Sequence, residues 1–423
     1  MTLPLDPVTA FAGAAARSVL RVALLGAGTV GSAVVRGFLE RADRLAVAGG
    51  PRLELAAVST LDPDRARALG VPDDLITDAS AHLVGARDVD IVVELMGGLE
   101  PARTFVRAAL EDGKPVVTAN KALLAAHGPE LEAIARRTGS AMRFEAAVGG
   151  GIPVLGPLAG DLAANRVTEV RGIVNGTTNF ILTAMAEEGR AYADVLADAQ
   201  AAGYAEADPT ADVEGGDAAA KIVILARLAY GGWLSPRAVV RAAPRLRGAG
   251  TPGITGVTAA DVTGAAEHGL VLRLVASARP GHDDTIAASV VPTAVPVDSP
   301  LGRTRGVLNR IEVDGSPVGS VAFVGPGAGG EATSSAVLGD LVSLARGAGS
   351  TWAGLPEAAP VRSDPEAAEA AWLAVPRRWL AVVPGGPTIV SREPVDAHAF
   401  RREVDAIVAP DADATLYPVE GLA

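Results

Sequence analysis

A chain of 423 residues exceeds what one simple core organises, and with 49% hydrophobic and 20% charged residues it buries ample apolar surface, which excludes global disorder. Its net charge of −12 opposes binding to nucleic acid and to anionic membranes, so small soluble molecules are the expected partners. The absence of cysteine excludes disulfides, thiolate catalysis and sulfur-ligated zinc and suits a cytoplasmic protein, while histidines scattered at 82, 127, 268, 282 and 398 form no pair spaced for a transition metal.

The N-terminal stretch holds no basic residue before Arg17 and no continuous apolar run, so neither a signal peptide nor a membrane anchor is expected. The first strand reads from Leu20 to Leu25. Gly26-Ala27-Gly28-Thr29-Val30-Gly31 follows it directly, then an amphipathic helix from Ser32 to about Leu45. In that context Gly26 permits a tight turn, Gly28 lets a pyrophosphate approach the helix N-terminus and Gly31 packs helix on strand, which predicts dinucleotide binding. A second strand, Leu53 to Val58, ends at Ser59-Thr60, where an NAD enzyme usually places an acid for the ribose 2′-hydroxyl. The missing acid, with Arg65 and Arg67 nearby, tilts the choice slightly toward NADP or use of both cofactors.

Further strands from Val89 to Leu95 and from Pro115 to Thr118 close on Met96-Gly97-Gly98 and Ala119-Asn120-Lys121. Ligand crevices of parallel sheets lie at such strand ends, so Lys121 is expected beside the nicotinamide half of the cofactor. Only three of the 37 basic residues are lysine, namely Lys114, Lys121 and Lys221. Where a chain writes arginine almost everywhere, the remaining lysines mark positions that need proton exchange or simply cap ion pairs, and both readings stay open. Lys114, in an Asp112-Gly113-Lys114-Pro115 turn, reads as solvated.

A sixth strand is expected to end in the glycine run that follows Phe144-Glu145, reaching Ile152-Pro153. Exposed carbonyls beside Glu145 suit a hard cation, and an interdomain hinge with Glu145 in an ion pair suits the residues equally. A strand from Val170 to Val174 leads into Asn175-Gly176-Thr177-Thr178-Asn179, a polar turn able to bind substrate or to cap a helix. From Glu206 to Asp217 stand five carboxylates, Glu206, Asp208, Asp212, Glu214 and Asp217, with no basic residue among them. Such a cluster calls for solvent or cations, and a substrate ammonium with Lys221 supplies two. Asp217 and Lys221, four apart, share a helix face, which fits a working lysine or an ordinary ion pair.

GAGTVG from Gly26, ELMGG from Glu94, VVTANKALLA from Val116, EAAVGGGIP from Glu145, GIVNGTTNFIL from Gly172, the run through GYAEADP to DAAAK at Lys221, and GPGAGG from Gly325 together resemble homoserine dehydrogenase. The resemblance is ordered and spans about residues 20 to 345. It implies an α/β protein: a Rossmann-type dinucleotide-binding domain over 1–152, completed by about 325–349, and an α+β catalytic and dimerisation domain over 153–324. The implied activity is reversible NAD(P)-dependent interconversion of L-homoserine and L-aspartate 4-semialdehyde, a step in threonine, methionine and isoleucine biosynthesis, carried out in the cytoplasm by a homodimer or homotetramer.

The same resemblance makes Lys221 the proton donor and acceptor, with Lys121 beside it and the cofactor, and makes Glu206 and Asp217 the substrate-binding pair. Asp212 and Thr178 join the expected substrate set. Cofactor contacts are expected from Gly26, Gly28, Thr29, Val30, Gly31, Gly97, Thr118, Lys121, Gly203, Gly327 and Gly329. Glu145, Val148, Gly150 and Ile152 map to a monovalent cation site for sodium or potassium. The rival readings are a nucleotide-binding sensor without chemistry, which has no need of Lys221, Asp217 and Glu206, and a dehydrogenase for another amino-acid aldehyde.

After residue 350 the chain departs from the family pattern. An Ala-, Pro- and Glu-rich stretch, 350–371, reads as a linker. A small α/β unit over 372–423 follows, with a strand at Arg378 to Val383, a helix at Ala397 to Val408 and a strand at Ala414 to Val419. It is too short for a complete ACT regulatory module, so feedback inhibition by threonine is not expected, and a fragment ending near Gly349 is expected to fold.

Overall fold

The computed structural model describes residues 18–41, 45–46, 50–281, 285–360 and 364–421; the N-terminal stretch to Arg17 and His282 lie outside them. The chain forms two compact units. The first comprises Met1–Asn165, Arg227–Trp233 and Pro326–Pro360.

Six strands of the first unit, β1 (Val19–Leu25), β2 (Arg52–Ser59), β3 (Ile76–Thr77), β4 (Ile91–Glu94), β5 (Val116–Thr118) and β6 (Met142–Arg143), make a parallel sheet in the order β3-β2-β1-β4-β5-β6. Neighbours such as Leu24 and Leu25, Val92 and Val93, and Val116 and Val117 point to opposite faces and are all buried, as a sheet covered on both sides demands. Strand order reverses between β1 and β4, where Leu25 stands opposite Glu94, so the ligand crevice of this sheet opens just beyond those two residues.

The helix Gly330–Ala345 closes the unit from far along the chain. It packs on the helix Thr29–Glu40, where a Cβ at Gly37 would stand 2.5 Å from Leu338 Cδ1, so a larger residue there would have to displace the end of that leucine. Val34, Val35, Val337, Leu341 and Leu344 form their shared core.

The second unit comprises Arg166–Ala226, Leu234–Gly325 and Val361–Ala423. Its eight-stranded sheet runs Gly319–Pro326, Leu308–Ser316, Arg166–Ile173, Leu270–Pro280, Ile286–Pro296, Thr415–Val419, Arg378–Val382 and Thr388–Val390. Most of its neighbouring strands pair antiparallel, but Ile286–Pro296 and Thr415–Val419 pair in parallel. Along the edge strand Gly319–Pro326 exposure alternates between fuller and partial, the pattern of a strand covered on one side.

The structure differs from the expected linker and separate tail. Trp352 is buried against Phe144 with ring centroids 5.2 Å apart, and Thr351 donates its amide to the Met142 carbonyl at 3.0 Å, so this stretch belongs to the interior of the first unit. A helix, Pro365–Leu373, then forms where linker was expected. Beyond it, three strands extend the sheet of the second unit, and Trp372, Trp379, Phe400 and Leu416 share one core with Val240 and Val291. Composition gave no sign of this, because the partners of each buried tail residue lie on distant segments.

Candidate active site

In the first unit the glycine turn has the geometry its residues imply. Gly26 adopts φ 100°, and its amide donates to the Ser59 carbonyl at 2.8 Å. A Cβ at Gly31 would lie 2.0 Å from the Gly26 carbonyl oxygen, so strand and helix meet there without room for a methyl group. Around the position of a Gly28 Cβ there is open space, and Gly28 and Thr29 are exposed at the N-terminus of the helix, where free amides and the helix dipole favour a pyrophosphate. These residues therefore fit a dinucleotide.

The second glycine loop, Gly327 to Gly330, sits against this turn: a Cβ at Gly330 would stand 2.8 Å from the Thr29 carbonyl oxygen. It also touches the third glycine run, since a Cβ at Gly150 would stand 2.8 Å from the Gly327 carbonyl. Gly329 caps the helix Gly330–Ala345 with φ 109° and is exposed.

Beyond β4, Gly97 and Gly98 turn with positive φ under the control of Glu94. This wholly buried carboxylate accepts from the amides of Met96 and Gly97 at 2.8 and 3.2 Å and from the Thr118 hydroxyl at 2.6 Å. Thr118, expected to touch the cofactor, is itself fully buried, and its oxygen also accepts the Asn120 amide at 2.9 Å. Its hydroxyl serves the wall of the crevice. Asn120 caps the helix Lys121–Thr138 and donates to the Gly98 carbonyl at 2.8 Å, so Lys121, partly exposed, opens that helix beside the Gly97-Gly98 turn.

Glu145 stands in a single helical turn after β6. Its Oε1 accepts the amides of Val154 and Leu155 and its Oε2 that of Gly156, all at 2.7 Å, so the carboxylate caps the short helix Leu155–Ala159. Backbone carbonyls are what remain for a cation at Glu145, Val148, Gly150 and Ile152. Among the described residues no group of three or more His, Asp or Glu side chains is placed to hold a metal ion. The Glu145 amide donates to Asp340 Oδ2 at 2.8 Å, and Arg143 Nε donates to Asp340 Oδ1 at 2.8 Å. Burial raises the Asp340 carboxyl to about 6 despite the Arg143 guanidinium.

Lys114 is corrected by the structure. Its Nζ donates to the carbonyls of Val84 and Ala86 at 2.6 and 2.8 Å and pairs with Asp112 at 3.0 Å, a buried lysine that closes the C-terminus of the helix Ser80–Gly85.

In the second unit, Lys221 lies on the helix Gly216–Tyr230 and is only 7% exposed. Its Nζ donates to Asp217 Oδ2 and to the Val174 carbonyl, both at 2.6 Å. The i,i+4 pairing was legible in the sequence; the carbonyl at the end of a distant strand was not. Asn175 is the residue that sequence reasoning missed. Its amide donates to Asp212 Oδ1 at 2.7 Å and to Asp217 Oδ2 at 3.0 Å, while its oxygen caps the helix Gly176–Glu188 through the Thr178 amide at 2.9 Å. Its polar turn suited substrate binding or a helix cap, and nothing in it signalled that its amide would hold two carboxylates.

Thr178, expected to bind substrate, is fully buried with its hydroxyl on Asn175 at 3.0 Å. The outward hydroxyl is that of Thr177, which donates to the Tyr204 carbonyl at 2.7 Å and lies 3.2 Å from Asp212 Oδ2. Glu206 and Gly203 are exposed on the loop that follows the helix Tyr192–Ala201, and Gln200 Nε2 holds the Glu206 carbonyl at 3.1 Å. Nearby, the Thr210 hydroxyl and amide hold the Asp208 carboxyl below its usual range. A buried lysine and two oriented carboxylates thus meet in this unit, with Glu206 exposed on one of its loops; Lys121 and the glycine turn belong to the other unit.

Two family models match the chain. One described as homoserine dehydrogenase, NAD binding domain, covers residues 26–145, and one described as homoserine dehydrogenase covers 153–342. The homoserine dehydrogenase of Corynebacterium glutamicum is 45% identical over 333 residues, 78% of this chain and 72% of that protein. The crystal structure of a homoserine dehydrogenase from Thiobacillus denitrificans superposes with a TM-score of 0.81 at 32% identity, covering 96% of this chain and 99% of that one. A hyperthermophilic archaeal homoserine dehydrogenase in complex with NADPH is 26% identical, with a TM-score of 0.64 over 77% of this chain and 97% of that one.

Proposed function

This chain belongs to the homoserine dehydrogenase family, and from that premise we propose how its residues divide the chemistry. It is an NAD(P)-dependent oxidoreductase acting on a CH–OH group, interconverting L-homoserine and L-aspartate 4-semialdehyde. Neither rival, the nucleotide-binding sensor or a dehydrogenase for another aldehyde, finds support among these relatives.

The observation that carries the assignment of Lys221 is its pair of 2.6 Å hydrogen bonds, to Asp217 and to the Val174 carbonyl. An ammonium has three donors. With two committed, the third is left for the substrate oxygen. When the alcohol is oxidised, the hydroxyl proton passes to the Lys221 amine as hydride leaves the same carbon; when the aldehyde is reduced, the ammonium returns that proton to the oxygen. The nicotinamide cofactor, when bound, supplies or accepts the hydride. Asp217 orients Lys221 and, with Glu206 and Asp212, attracts the ammonium of the substrate. Thr178 supports this group from below as part of the Asn175 cap.

In the first unit Gly26, Gly28, Thr29, Val30 and Gly31 hold the pyrophosphate side, with Gly327 and Gly329 facing them, and Gly97 and Lys121 line the crevice beyond β4. Thr118 acts there through Glu94, and Gly203 belongs to the cofactor set of the other unit. Dinucleotide binding falls to the unit of Met1–Asn165, Arg227–Trp233 and Pro326–Pro360 and catalysis to the other unit, borders that differ from the expected 1–152 with 325–349 and 153–324. NADP is favoured slightly over NAD. A sodium or potassium ion, if held at Glu145, Val148, Gly150 and Ile152, is held by their carbonyls. The assembly is a homodimer or homotetramer and its compartment the cytoplasm.

The test mixes the protein with L-homoserine and NADP and follows the absorbance of reduced nicotinamide, first for the native protein and then for Lys221→Arg. The variant keeps the charge and loses the amine that exchanges protons, so turnover should fall at least ~10²-fold with little change in cofactor affinity. Near-normal turnover would overturn the role given to Lys221.

A further inference from the structure

We propose that Arg65, held in place by Ser32, reads the phosphate that distinguishes NADP from NAD, an inference that rests on the dinucleotide reading of the first unit. In such folds the ribose 2′ position lies at the end of the second strand, where an acid selects the hydroxyl and an arginine the phosphate. Here β2 ends at Ser59, which is buried with its hydroxyl 2.6 Å from that of Ser80. Thr60 folds its own hydroxyl back onto Asp62, accepting that amide at 3.1 Å. The nearest acid, Asp62, faces away from the acidic role, because its Oδ1 caps the helix Pro63–Ala68 through the Arg65 amide at 3.0 Å.

Two arginines follow on that helix, and the structure separates them. Arg67 is neutralised, with Asp64 and Asp73 each 2.7 Å from its guanidinium. Arg65 reaches back toward the glycine turn, its Nε donating to the Ser32 hydroxyl at 3.0 Å. That hydroxyl in turn donates to the Ala27 carbonyl at 2.9 Å, inside the turn that receives the pyrophosphate. The relay from Arg65 through Ser32 to Ala27 fixes one edge of the guanidinium against the first turn of the helix. Arg65 is exposed on the helix that follows β2, and the guanidinium nitrogens not used by Ser32 suit a phosphate dianion and offer nothing particular to a hydroxyl.

The experiment measures binding without turnover, so it stands whether or not homoserine is the substrate. Dissociation constants are determined by calorimetry for NADPH, NADH, 2′,5′-ADP and 5′-AMP with the native protein, Arg65→Gln, Ser32→Ala and Arg67→Gln. Arg65→Gln should weaken NADPH and 2′,5′-ADP at least about tenfold and leave NADH and 5′-AMP within about threefold, as loss of a charge-assisted contact to phosphate predicts. Ser32→Ala, which frees the guanidinium without removing it, should show the same selectivity with a smaller loss. Arg67→Gln should change neither. Equal losses for both cofactors in Arg65→Gln, a phosphate-selective loss in Arg67→Gln, or native protein indifferent to the 2′-phosphate would each overturn the assignment.

Discussion

Glu132 and Arg227 meet in a bidentate ion pair with both side chains buried, Arg227 Nε 2.9 Å from Oε2 and Nη2 2.6 Å from Oε1. Burial pushes the Glu132 carboxyl up, yet hydrogen bonds from Arg227, Trp233 and Arg136 outweigh it and leave it lowered. Removing one partner strands the other charge in the interior. Glu132→Gln and Arg227→Met should each destabilise the first unit by about 3–5 kcal/mol, read as a shift in the urea unfolding midpoint. Loss below about 1 kcal/mol would show that water reaches the pair.

Asn175→Asp keeps an oxygen to cap the helix and replaces an amide donor with a carboxylate facing Asp212 and Asp217. Turnover with homoserine should fall ~10-fold or more near neutral pH, because adjacent carboxylates resist being ionised together. Circular dichroism should stay native. An unchanged rate would mean that Asp217 needs no partner besides Lys221.

For Asp340 the sign follows from its raised carboxyl. The folded state favours the neutral form, so the contribution of this group is present below about pH 4 and is lost as pH rises through about 6. The full loss is on the order of 3 kcal/mol. Melting temperatures of the native protein and Asp340→Asn, measured from pH 4 to pH 7, should therefore differ in slope, the native protein losing ground to the variant as pH rises. Parallel curves would sink the prediction.

A fragment ending at Gly349, which the sequence alone suggested would fold, should be insoluble or grossly destabilised. It loses Trp352 from Phe144 and strips Val240 and Val291 of the tail core. Soluble, active fragment at native yield would show that both cores close without the tail.

The parts of this molecule legible in its sequence are those whose partners are local. The glycine turn needs only a strand before it and a helix after it, and Asp217 with Lys221 needs only helical spacing. Glu94 and Thr118 face each other across two parallel strands at matched register, a relation no periodicity encodes. Lys114 looked solvated because its own turn is polar, yet the carbonyls that bind it end a helix some thirty residues earlier. The tail follows the same rule: its Ala and Pro suggest a spacer, while in the structure Trp372 and Trp379 cross at 5.9 Å, with Arg377 over the first ring at 4.7 Å.

The burial of Lys114 changes what the chain offers to chemical reagents. Its amine is enclosed by two carbonyls, and that of Lys221 by a carbonyl and a carboxylate, and both residues are buried, whereas Lys121 is partly exposed. A molecule of this size usually presents many amines to an acylating dye or an activated resin. Here lysine acylation of the native protein should collect at Lys121, beside the Gly97-Gly98 turn, and bound nucleotide should slow it if Lys121 lines the cofactor site as proposed. With reaction at the α-amino group set aside, the scarcity of lysine thus turns an unselective reagent into a reporter of that turn.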